Sequence, residues 1–111
     1  MELLLNRAPT HQEKKLIEFL VNKSFCSIPV NWKEGLMVRP MNDGMMGSLY
    51  LFPQGKIITG RKFGKQISDF QFMDEDGVKV LVSLNVDSNG DLFELDIWKT
   101  DFGELIKLPD L

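Results

Sequence analysis

The chain has 111 residues, 43% hydrophobic and 26% charged, with thirteen basic against sixteen acidic side chains and a formal net charge of -3. That length suits one domain over residues 1–111 with a single core and leaves no room for a second lobe. The globular balance argues against disorder and against a membrane protein, and the interspersed signs give no polybasic footprint for nucleic acid or anionic lipid.

Met1 to Asn6 holds a short apolar run behind an acidic residue, unlike a secretory leader, and no run approaches the roughly 20 apolar residues of a membrane span. Cys26 is the only cysteine. An internal disulfide and a multi-cysteine zinc site are therefore excluded, and a cytoplasmic location is the expectation. Thr10-His11-Gln12-Glu13 reads as a capping box and places a helix start there. Leu16, Ile17, Phe19, Leu20 and Val21 follow at helical spacing, while Glu13, Lys14, Lys15, Glu18 and Asn22 can face water. The helix should run to about Lys23 and cover one face of a sheet.

Leu36 to Arg39 is a short apolar run stopped by Pro40, and Gly47 to Phe52 alternates until Pro53 stops it. These two runs should form a hairpin across Met41 to Met46. Gln54 to Gly60, with two glycines and no periodicity, reads as a loop. Arg61 to Phe72 is extended but changes phase: Ile67 and Phe70 cannot share a face at strict period two, so a bulge is expected near Ser68-Asp69. Asp74-Glu75-Asp76-Gly77 turns the chain into Val78 to Val86, the clearest strand. Asp87-Ser88-Asn89-Gly90 reads as a type I turn that joins it to Leu92 to Lys99 as a hairpin. The expected fold is α+β, an N-terminal helix packed on an antiparallel meander sheet of about five strands. Its core should contain Leu16, Ile17, Leu20, Leu49, Leu51, Val80, Val82, Leu84, Phe93, Leu95 and Ile97.

Leu92 to Lys99 sets Glu94, Asp96 and Trp98 on the face opposite Phe93, Leu95 and Ile97, where Ser83 and Asn85 of the neighbouring strand join them. Two carboxylates roughly 7 Å apart on a strand suit acid–base chemistry, and equally a solvated surface. An exposed indole marks contact surfaces, unless Asp101 to Leu108 covers the Trp98 ring. The loop Asn42 to Gly47 adds the Asp43 carboxylate and two adaptable methionines, Met45 and Met46. It leads into a strand and not a helix, as a hairpin connection does and a phosphate-cradling loop does not. Asp87, Asn89 and Asp91 lack the glycine position and distant glutamate of a calcium loop, and His11, the only histidine, has no second ligand beside it. No metal or cofactor is implied. Arg61, Lys62 and Lys65 alternate with Phe63, too short a basic patch on an acidic domain to indicate RNA.

The stretches "APTHQEKKLIEFL", "MNDGMMGSLYL", "RKFGKQISDFQFMDEDGVKVLVSLNVDSNGDLFELDIWKTDF" and "LIKLP" resemble a family of short bacterial proteins catalogued as a domain of unknown function. The resemblance covers most of the chain, and Arg61 to Phe102 is its specific part. Family members read Asp-Asp-Gly-Gly-Met-Gly-Ser-Leu where this chain has Asn42 to Leu49, so the chain departs at Asn42 and Met45. The resemblance implies a bacterial cytoplasmic protein standing as a single domain, and it carries over no catalytic residue.

The resulting expectation is a non-enzymatic module that binds a protein partner, a basic one by charge. Its surface would be Asp43, Met45, Met46, Glu94, Asp96 and Trp98, serving an immunity-like or regulatory role by analogy with other small acidic domains. One alternative is an enzyme or small-ligand binder with an acidic pocket around Asp43, Glu94 and Asp96 and with Arg61 beside it. The other is self-association of identical chains. A concavity lined by these groups favours a ligand, and a flat face favours a protein partner.

Overall fold

The computed structural model describes residues 5–111, so the opening run from Met1 to Leu4 lies outside the described residues. Helix α1 spans His11–Lys23, the interval marked by the capping box. The Thr10 hydroxyl accepts from the Glu13 amide at 3.1 Å, and the Glu13 carboxylate accepts from the Thr10 amide at 2.8 Å. Glu13 does not face water as its place in the helix suggested. The Arg7 guanidinium donates to its two oxygens at 2.7 and 3.0 Å, and the carboxylate is buried. Arg7 also exchanges backbone hydrogen bonds with Val38 at 2.8 and 2.7 Å, which ties the start of α1 to the sheet edge.

Five antiparallel strands follow: β1 (Met37–Pro40), β2 (Leu49–Phe52), β3 (Phe63–Met73), β4 (Lys79–Asp87) and β5 (Leu92–Lys99). One helix on a five-strand antiparallel sheet makes the fold α+β. The spatial order is β1-β2-β5-β4-β3, so the β1–β2 hairpin docks along β5 of a β3–β4–β5 meander. That seam is short. Only Leu49 and Tyr50 pair with Leu95 and Glu94, and side chains complete it on either side. The Ser48 hydroxyl accepts from the Ile97 amide at 2.8 Å and donates to its carbonyl at 3.1 Å. Beyond the last pair, the Arg61 guanidinium donates to the carbonyls of Leu51 and Leu92 and, through Nε, to Asp87 at 2.9 Å. Both devices satisfy backbone groups that a longer ladder would have paired.

The phase change in β3 is a pair of register shifts, one between Phe63 and Lys65 and one between Gln66 and Ser68. The second places the extra residue at Ile67, so Ile67 and Phe70 both pack on the core. At the first, a Cβ on Gly64 would lie 2.3 Å from the Asp87 carbonyl oxygen, an approach only glycine permits.

Leu16, Ile17, Leu20, Leu49, Leu51, Val80, Val82, Leu84, Leu95 and Ile97 form the core as expected, with Leu36, Val38, Val86 and Leu92 added. Phe93 is the exception. A register shift between Asn85 and Val86 sets Val86 opposite Leu92, which turns inward. Phe93 is left partly exposed, with the Arg61 guanidinium 4.8 Å from its ring centroid.

Lys99 shares the inward phase of Leu95 and Ile97 and is only 1% exposed. Its amine donates to Asp74 at 2.9 Å, Asp76 at 2.7 Å and the Glu104 carbonyl at 3.0 Å. Asp74 in turn accepts from the amides of Ile106 and Lys107 at 2.8 and 3.0 Å. This cluster pins the C-terminal tail, whose Leu105 and Leu108 pack against the core. A buried charge is tolerable only when so fully paired.

Two expected outcomes follow from this packing. Leu95→Ala should cost about 2 to 5 kcal/mol in denaturant melts, and a loss below about 1 kcal/mol would mean that the strand faces are reversed. Burial opposes ionisation of Asp74, but the Ile106 amide, the Lys99 ammonium and the amides of Glu75 and Lys107 outweigh it and hold the carboxyl down at about 2. A depressed carboxyl stabilises the fold above its ordinary value and loses that contribution as the pH falls through the folded value. Acid titration should therefore release the tail between about pH 4 and about pH 2. Asp74→Asn should be less stable at neutral pH and should lack that step. A step that persists unchanged in the variant would assign it to another carboxyl.

Candidate functional site

The helix and tail lie against one face of the sheet, and among the described residues no helix or strand covers the other. Alternation and register sort the side chains of this open face into three rows that cross the strands. Arg39, Tyr50, Glu94, Asn85 and Gln66 stand opposite one another in the first. Asp96, Ser83 and Asp69 form the second, and Trp98, Leu81 and Gln71 the third. The outer carboxylates of the second row are two strand spacings apart, roughly 10 Å.

The second and third rows form one wall of a groove of about 660 Å³, and the Met41 to Ser48 loop forms the other. Asp43, Asp69 and Asp96 line it with Trp98, and no lysine or arginine does. The volume lies inside the range of small-molecule sites. One Asp96 oxygen accepts from the buried Asn85 amide at 3.0 Å. Trp98 is 46% exposed, neither bare nor buried under the tail. Phe102, in a left-handed conformation at φ 64°, packs edge-on against it with ring centroids 4.9 Å apart.

Of the expected site residues, Asp43, Met46, Asp96 and Trp98 come together on this groove, and Met45 and Glu94 lie outside it. Asp43 is heavily engaged in its own loop: its two oxygens accept from the amides of Met46 at 3.2 Å and Ser48 at 3.0 Å. Met46 is buried, its sulfur 3.4 Å from the Lys99 amide, and acts as a wall more than an adaptable contact. Met45 is exposed, at φ 64°, and its carbonyl accepts from the Leu105 amide at 3.1 Å. Arg61 is spent on Asp87 and two carbonyls and lines a separate cavity of about 240 Å³ with Trp32 and Asp91.

Glu94 stands next to the groove and carries a cost. Burial first, and then the Asp96 charge, push its carboxyl above the ordinary glutamate range. A raised carboxyl contributes stability in acid and loses it as the pH rises through the folded value, so at neutral pH the Glu94 carboxylate opposes folding. Asp69 is the residue that sequence patterning missed, because the bulge at Ile67 has to be placed before Asp69 can be assigned to the face of Asp96. Among the described residues no three of His, Cys, Asp or Glu converge as cation ligands would.

No curated protein and no solved structure matches the chain. A family described as a domain of unknown function, DUF6984, matches residues 6–109, which include the whole sheet, α1 and nearly all of the tail. The chain that builds this half-covered sheet and its acidic groove therefore belongs to the DUF6984 family.

Proposed function

We propose that this domain is a non-enzymatic binding module whose open sheet face receives a basic segment of a protein partner. The observation that supports this reading best is the groove itself, whose lining offers three carboxylates, amide and apolar side chains and no cation, with an accessible indole on its wall. Carboxylates without internal cations attract a basic side chain and steer its approach, and the Trp98 and Phe102 rings supply the apolar anchor that interfaces use. An immunity-like or regulatory role in a bacterial cytoplasm is the concrete form of this proposal. A second reading, a small organic cation as ligand, is favoured by the concavity and its volume. Asp69 and Asp96 would then hold the ligand, since Arg61 is committed elsewhere.

Capture from bacterial lysate with the full chain as bait tests the proposal. The captured partner should be basic, and its binding should weaken steeply with added salt. Asp69→Asn/Asp96→Asn and Trp98→Ala should each lower the affinity by about tenfold or more, within the range of interface anchors. Affinity undiminished from that of the unmodified chain in both variants would remove the groove from the interface. A saturable change in Trp98 fluorescence with spermidine, in a Trp32→Phe background and with no protein captured, would select the small-cation reading instead.

A further inference from the structure

We propose that the β1–β2 corner of the open face is an oxyanion-binding site, in which the Arg39 guanidinium, held against the rings of Tyr50 and Phe52, receives a carboxylate or phosphate group. Arg39 stands opposite Tyr50 in the β1–β2 register. Its guanidinium carbon lies 5.6 Å from the Tyr50 ring centroid and 5.1 Å from that of Phe52. Phe52 is itself only 6% exposed, so the platform beneath the cation is fixed.

The chain has three arginines, and two are matched by acceptors. Arg7 meets both oxygens of Glu13, and Arg61 meets Asp87 and two carbonyls. Arg39 has no ion pair among the described residues, and its buried Nε has no hydrogen-bond partner. Glu94, the carboxylate in its row, is two strand spacings away across β2, roughly 10 Å.

A buried N–H donor left without an acceptor is costly and uncommon in a folded protein. The enclosed Arg39 Nε shows that nothing among the described residues completes this guanidinium, and an outside anion would meet the part of the half-buried side chain beyond it. Stacking on aromatic rings compensates the guanidinium charge from its faces and leaves its in-plane N–H groups unfilled. Two parallel in-plane donors match a pair of oxygens on one carbon or phosphorus, which is bidentate recognition of a carboxylate or phosphate. The site lies outside the acidic groove and is independent of the binding proposed there.

The test is a nitrogen-15 NMR titration of the full chain, following the three arginine Nε–H signals with inorganic phosphate and, separately, with acetate, at constant ionic strength set by chloride. The Arg39 signal should shift saturably, with a dissociation constant on the order of millimolar, while Arg7 and Arg61 stay in place. Saturation by phosphate alone assigns a phosphate ligand, by acetate alone a carboxylate, and by both a general oxyanion site. Followed through the backbone amide signals of Tyr50 and Phe52, Arg39→Lys keeps the charge but loses the fork and should weaken binding by about fivefold or more, and Arg39→Gln should abolish it. Absence of a saturable Arg39 shift with either anion overturns the proposal, as does undiminished binding by a folded Arg39→Gln variant.

Discussion

A single covering layer on a five-strand sheet is the constraint from which the rest of this structure follows. The helix and the tail together bury one face, so strand alternation divides the residues of β4 and β5 between core and open face, except at the register shift that displaces Phe93. Leu95 and Ile97 fall on the covered side, and Asp96 and Trp98 on the uncovered one. The acidic groove is a product of that division, lying on the face that no helix or strand of the described residues covers.

The tail is the unusual half of the layer, because it has no regular structure of its own and is held by a buried charge. Lys99 sits where β5 would ordinarily present an apolar residue, and it draws Asp74, Asp76 and the Glu104 carbonyl around it. Such a cluster favours its complete form, since a partly paired ammonium in the core would be strongly unfavourable. The same cluster positions Leu105, whose side chain reaches the turn at Gly47. The loop wall of the groove and the buried face are thereby mechanically linked.

The parts legible in the sequence were those governed by local rules. The capping box marked the first turn of α1 at Thr10 and Glu13, and the alternation of Leu92 to Lys99 marked β5 at both ends. What could not be read were properties that depend on pairing between distant strands. The docking of β2 on β5 has no local signature, and the register shift opposite Asn85 exchanged Leu92 for Phe93 in the core. A lysine in phase with two core residues reads as a strand end on charge alone, so Lys99 was invisible until Asp74 and Asp76 stood beside it. Asp69 joined the site, and Arg61 left it, for the same reason: each is placed by contacts whose partners are far away in the chain.

The proposed binding role requires that the Glu94 and Asp96 carboxylates of the open face be free of any duty to the fold, unlike Asp43, whose oxygens hold its own loop. The burial of Glu94, with the Asp96 charge beside it, makes that requirement measurable. The most direct measurement is the neutral-pH denaturant midpoint of the Glu94→Gln/Asp96→Asn double variant against the unmodified chain. The account predicts stability unchanged within about 0.5 kcal/mol, or raised as the Glu94 charge is removed. A loss of more than about 1 kcal/mol would place the pair in an internal network that the fold requires, and would contradict the account.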